Sequence, residues 1–459
     1  MSEAAPGAES RADRPARRPL GFWMATALVV GNIIGSGAYL LPASLAPYGP
    51  NSLLAWLFTA TGAVLLAAVF AALSRAFPKD GGPYVFTRAA FGERAGFVVG
   101  WGYWVSAWVG NAAIATGAVS YTSAFAPWIA AVPGASALVT IAVVWLLTLV
   151  NCYGVRAAGW VQAVTTVLKL LPLLAVALVG AFFLRRETLA AFAEVPITLD
   201  GTTAAATLTL WALLGLESAT VPADKVNDPE RTIPRATLVG TVVATLFCSV
   251  ACSLVLLVVP ASRLAVSNAP FADAARVFWG ERASTLVALF AAISAYGALN
   301  GWILIQGELP WAMARDGVFP RVFARESARH TPVFALVSTS VLVTLLVLAN
   351  FHRSMVQVFT FMILLSTSAA LVAYLVCSLA LLALLWRGRL AGSRRGTPWL
   401  AAAGALGAAY SLWAIAGAGK DATLWGAVLL LAALPVYALM KRGSTGSESA
   451  AEPTAGEER

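Results

Sequence analysis

About twelve runs of roughly 20 apolar residues follow one another along this chain, and each is long enough to cross the ~30 Å hydrocarbon core of a bilayer as an α-helix. Lipid offers backbone N–H and C=O groups no hydrogen bonds, so such runs must form helices packed on helices. Only 12% of the residues are charged, against roughly 25% in a soluble domain. The chain reads as an all-α membrane protein. Helices are expected at about 22–47, 51–74, 94–125, 135–151, 158–184, 203–222, 237–259, 284–314, 333–350, 355–386, 398–417 and 421–441. Residues 1–20 form a polar N-terminal tail, 21–442 the membrane domain, and 443–459 a Gly/Ser/Glu-rich C-terminal tail. The first run is longer than a signal-peptide core and lacks a small-residue cleavage site, so it is expected to be retained.

The net charge of +9 is unevenly placed. Lys and Arg gather in the N-terminal arm, at Arg75 to Arg94, Lys225 to Arg235, Arg315 to Arg329, Arg387 to Arg395, and at Lys441 with Arg442. The positive-inside rule then puts both termini in the cytoplasm and accounts for the basic balance without a nucleic-acid partner. The four cysteines lie in or at the edge of the apolar runs and suggest neither a disulfide framework nor a metal site. No cofactor is expected.

Two runs are interrupted. In Gly31-Asn-Ile-Ile-Gly-Ser-Gly-Ala-Tyr-Leu-Leu-Pro42, the Gly35-Ser36-Gly37 triplet weakens a helix near its middle. Broken backbone at that depth is tolerated where it lines a protein cavity, and the half-helix after the break turns free N–H groups toward an anion such as a carboxylate. Five runs later, Trp211-Ala-Leu-Leu-Gly-Leu-Glu-Ser-Ala-Thr-Val-Pro222 places Glu217 between Gly215 and Ser218. Interrupted helices at the first and sixth positions point to two inverted five-helix repeats, 22–184 and 203–386, with a substrate site between them at the midplane. Residues 398–441 supply two additional helices outside these repeats.

These stretches, with Phe77-Pro-Lys-Asp-Gly-Gly-Pro-Tyr84 and Ala314-Arg-Asp-Gly-Val-Phe-Pro320, make the chain resemble the amino acid–polyamine–organocation transporters. Within that superfamily Gly31–Gly37, Tyr103-Trp104, Trp108–Asn111, Leu210-Trp211, Gly215–Ala219 and Ser267 to Arg276 are most similar to the bacterial arginine/agmatine antiporters. The resemblance implies a fold of the LeuT type with discontinuous helices 1 and 6, in the bacterial inner membrane, that moves an amino acid or amine by alternating access. It implies that backbone around Ile33, Trp211 and Leu214 accepts the substrate's α-ammonium, and that Ser36 and Gly37 hold its carboxylate. It further implies that Trp302 stacks on the substrate side chain, Asn111 bonds its far end, Ser366 lines the site, and Trp211 closes over it. Ser36, Tyr103, Glu217 and Tyr374 match a cytoplasmic-side gate, and the resemblance implies that the last two helices are the surface of a homodimer, although packing at Gly404, Gly407 and Gly417 could equally be internal. Aromatic faces suit a guanidinium or ammonium, at ~2 kcal/mol when desolvated.

The sequence departs from the antiporters at Ser106, Ala107 and Ile114, and most of all at Lys169. Lys169 lies about eleven residues into the fifth run, roughly 16 Å along its axis at 1.5 Å per residue. A charge that deep costs about 3 kcal/mol on insertion scales. Proton-coupled relatives and the light subunits of heteromeric exchangers resemble this chain in carrying a Lys there. Its ammonium is expected to brace the first helix against the fifth, and a change in its protonation would couple transport to protons. Glu217, a buried carboxylate, is a second candidate for carrying a proton. Glu308 reads as a cap near a helix end, and His330 and His352 as loop residues.

Neither His-Glu-x-x-His nor a phosphate-cradling Gly-x-x-x-x-Gly-Lys-Ser/Thr occurs, which argues against an enzyme or an ATP-driven pump of the usual kind. A channel would also use interrupted helices, and a receptor would bind ligand without moving it. The leading expectation is a secondary amino acid permease, proton-coupled through Lys169; the alternative is an arginine/agmatine-type exchanger, which the added charge of Lys169 disfavours.

Overall fold

The computed structural model describes residues 20–438 apart from 154, 222, 330 and 391–396. The expectations for the C-terminal tail, for residues 1–19 of the N-terminal tail and for His330 lie outside these residues, as does the side chain of Ser36.

The first apolar run is two helices, α1 (Phe22–Ile33) and α2 (Ser36–Leu45). There follow α3 (Asn51–Ala76), a short α4 (Pro83–Phe91), α5 (Glu93–Thr122), a single turn α6 (Trp128–Ala131), α7 (Ala135–Cys152), α8 (Val155–Val179) and α9 (Arg186–Ala193). The second half runs through α10 (Leu199–Trp211), α11 (Pro229–Val258), a turn α12 (Ala261–Leu264), α13 (Pro270–Trp279), α14 (Glu281–Arg315), α15 (Val333–Ala349) and α16 (Met355–Trp386). Two further helices, α17 (Thr397–Ala416) and α18 (Lys420–Leu431), close the chain. Among the described residues the non-helical pairing is a single parallel bridge, Leu20 to Val226.

Among the described residues eight helices are long and apolar enough to cross a membrane, or nine if the pair bent by 100° at residues 183–186 counts as one span. The sequence count of about twelve is larger because it included runs that fail one criterion. The run at 203–222 stops being helical after Trp211, where α10 ends. Helix α15 has 17 residues. Helix α5 has the length but not the apolarity, because its Gly, Ser, Asn, Tyr and Trp residues face protein: nearly every residue from Gly102 to Tyr121 is buried. The short helices α4, α9 and α13 were not anticipated; they are amphipathic or interrupted by turns and lack a long apolar run.

The distribution of side chains is that of a protein dissolved in lipid. Leu57, Leu146, Leu246, Leu345 and Leu412 are each more than half exposed, whereas Asn32, Asn111, Lys169, Glu217 and Gln306 are buried. Helix α5 packs against both α14 and α16, α1 packs chiefly on α11 with α8 and α14 beside it, and α10 packs on α3 and α16. This places the two breaks side by side in the interior.

Candidate functional site

The first break is two residues wide. Ile34 N still donates to Val30 O at 2.9 Å, and Gly35 N turns back to Ile33 O at 3.0 Å. A Cβ on Gly35 would come within 3.1 Å of the Ala298 Cβ, so glycine lets α14 approach the gap. The carbonyls that α1 no longer satisfies find partners elsewhere. Lys169 Nζ donates to Gly31 O at 2.6 Å, and Trp302 Nε1 donates to Asn32 O at 3.2 Å. A cation at a helix C-terminus also meets the negative end of its dipole. Tyr39 on α2 donates its hydroxyl to the backbone oxygen of the same Lys169, and Tyr121 donates to Tyr39 O at 2.7 Å. One turn of α8 thereby holds both halves of the broken helix.

The second break is wider and largely supports itself. After Trp211 the chain passes through turns to Ser218–Thr220, a single 3-10 turn. Gly215 has φ +105°, a conformation open to glycine, and a Cβ there would lie 3.2 Å from Asn32. The two breaks therefore touch. The Ser218 hydroxyl donates to Gly215 O, and Thr220 Oγ1 donates to Glu217 O at 2.7 Å. The buried Glu217 carboxylate accepts from Tyr103 at 2.6 Å and from Tyr374 at 2.5 Å, which ties the break to α5 and α16.

Where the breaks meet there is a cavity of about 20 Å³ lined by Ile33, Gly37, Trp211, Leu214, Trp302 and Ser366, together with Asn32, Gly35, Ser106, Ala107, Gly110 and Ile114. That is room for about one water. Trp211 closes it: a Cβ on Gly37 would sit 2.9 Å from its Nε1, and one on Gly110 3.0 Å from its Cη2. The indole lies between two helix backbones with its N–H unpartnered. Tyr103, Glu217 and Tyr374 form a separate cluster, and Asn111 is not among the lining residues; its Nδ2 donates to Gln306 Oε1 at 2.7 Å.

The sequence matches the amino acid permease family over residues 20–444. This chain belongs to that family. It is similar to a putative arginine/ornithine antiporter of Bacillus subtilis, at 32% identity over 91% of this chain and 96% of the relative. A cadaverine/lysine antiporter of Escherichia coli K12 is 35% identical over 72% of this chain and 74% of its own length. A putrescine transporter of Haemophilus influenzae is 31% identical over 91% and 96%. The permease is thus a multi-pass membrane transporter of the amino acid–polyamine–organocation group.

Two parts of this permease escaped the reading of its sequence. One is Gln306, one turn beyond Trp302 in α14, whose polar side chain in the run Trp302-Ile-Leu-Ile-Gln306 was the available signal. The other is a link between α4 and the end of α14. Arg88 Nη1 pairs with Asp316 at 2.8 Å, and Tyr84 donates to the same carboxylate at 3.0 Å. Burial and the Asp316 charge push the Tyr84 phenol above its ordinary range, so it remains a donor.

Proposed function

We propose that this permease exchanges cationic amino acids and related amines by alternating access, with the cavity between the two breaks as the substrate site. The observation that carries the reading is the meeting of two helix breaks at a small cavity closed by Trp211 and Trp302. The relatives' names speak of arginine, ornithine, lysine, cadaverine and putrescine, all of which end in groups rich in N–H donors. Two aromatic faces and helix-end carbonyls, each with a second lone pair, suit such groups, and the N–H groups opening α2 suit a carboxylate.

In this reading the chain is two inverted five-helix repeats, 22–184 and 203–386, with about twelve spans and both termini cytoplasmic in the inner membrane. The substrate's α-ammonium takes the carbonyls around Ile33, Trp211 and Leu214, its carboxylate lies at Ser36 and Gly37, and Ser366 faces it from α16. Admission requires Trp211 to swing off Gly37 and Gly110, because a one-water cavity is far below the ~300 Å³ of ordinary ligand pockets. Release to the cytoplasm requires Tyr103 and Tyr374 to let go of Glu217.

A second reading, proton-coupled uptake of neutral amino acids, is favoured by Lys169. It is fully buried, and its ammonium caps the very helix that must rearrange. The test is uptake of labelled arginine and alanine into proteoliposomes, with and without an inward proton gradient, and with agmatine or nothing inside. Arginine entry that needs internal agmatine and ignores the gradient establishes exchange. Alanine entry into empty vesicles driven by the gradient overturns it in favour of symport through Lys169.

A further inference from the structure

Four buried side chains on four helices form a line that ends beside the cavity: Thr148 on α7, Ser340 on α15, Gln306 on α14 and Asn111 on α5. The direction of every hydrogen bond in this line follows from its outer end. Thr148 Oγ1 donates to Val144 O at 2.7 Å, and a carbonyl can only accept. A hydroxyl has one proton, so in the 2.7 Å contact between Thr148 and Ser340 the proton belongs to Ser340. Ser340, its proton used, accepts from Gln306 Nε2 at 3.1 Å. Gln306 must then turn Oε1 toward Asn111, which meets it with Nδ2 at 2.7 Å. The Asn111 Oδ1 is left buried and without a partner. Asn111 follows Gly110 and stands one turn from Ala107, both of which line the cavity.

We propose that Gln306 is a specificity-determining positioning residue. Acting through Asn111, it keeps a lone hydrogen-bond acceptor directly behind the cavity lining at Gly110, where the swing of Trp211 off Gly110 opens it to substrate, and so selects side chains that end in an N–H donor, an ammonium or guanidinium. The proposal rests on the transport reading above. An N–H end satisfies Oδ1, whereas an aliphatic end leaves it buried and unmet, a difference of about tenfold or more in affinity for a bond with a charged partner.

The test is calorimetric binding of lysine and of norleucine, which lacks the terminal ammonium, to the purified full-length protein. Wild type is expected to prefer lysine by about tenfold or more. Gln306→Leu frees the Asn111 amide to rotate and should remove most of that preference through weaker lysine binding, with norleucine little changed. Asn111→Ala should do the same, and the double variant should be no worse than Asn111→Ala, since one residue acts through the other. Ser340→Ala releases Gln306 one step further out and should shift the preference in the same direction by less; it also serves if Gln306→Leu fails to fold. An unchanged preference in whichever variant folds, or equal binding of the two ligands by wild type, overturns the role of Gln306 and leaves transport standing. Binding of neither ligand, with no uptake of either, overturns both.

Discussion

The two breaks solve the same problem in opposite ways. At the first, the freed carbonyls Gly31 O and Asn32 O are met by side chains from α8 and α14, more than a hundred residues away. At the second, Ser218 and Thr220 serve the backbone within three residues of themselves, and Gly215 supplies the turn. The first break is held by its surroundings and the second chiefly by itself. A segment held by distant groups is sensitive to movement of those groups, whereas a self-supporting one can move as a piece. The contrast suggests that the second break moves as one piece once Tyr103 and Tyr374 release Glu217, while α1 and α2 respond to shifts in α8 and α14.

Three substitutions would break or sharpen this contrast. Lys169→Met should have the largest effect, because it strips the charged donor from Gly31 O and leaves that carbonyl bare. A loss of about 3 kcal/mol is expected, with exchange in proteoliposomes down at least tenfold. Thermal unfolding in detergent at the wild-type midpoint would show that the first break does not depend on α8. Gly215→Ala comes next, at about 2 kcal/mol for a non-glycine at φ +105°. Because the new methyl presses on Asn32, it should also weaken substrate binding at the first break; a stability loss with unaltered affinity would separate the two breaks. Ser218→Ala should be the mildest, about 1 kcal/mol, since one local bond is lost and its neighbours remain. If it proved as damaging to exchange as Lys169→Met, the second break could not be called self-supporting.

Much of this arrangement was legible because a bilayer tolerates few exceptions. Gly35-Ser36-Gly37 and Gly215-Leu-Glu217 stood out as helix breakers in apolar runs, and the structure interrupts both helices there. Lys169 stood out as a charge in such a run, and its bond to Gly31 O links the fifth run to the first. What sequence could not convey was partnership between distant residues. Trp302 bonds the backbone of Asn32 as well as lining the cavity. Asn111 reads as bonding the substrate's far end, but that Gln306 holds its amide nitrogen was not visible. Gln306 was visible as a polar residue in an apolar stretch, but its meaning depends on Ser340 and Thr148, which the fold alone brings near. The span count exceeded what length and apolarity support because a helix facing protein on all sides, as α5 does, need not be apolar.

The size of the closed cavity has a consequence for the membrane itself. Protons and small ions cross bilayers most readily along continuous files of water, and a chamber with space for about one molecule interrupts any such file. With Trp211 wedged against Gly37 and Gly110, this state is expected to pass little current, which recording across a planar bilayer would check. A cell could keep many copies of the permease at rest without draining its ion gradients.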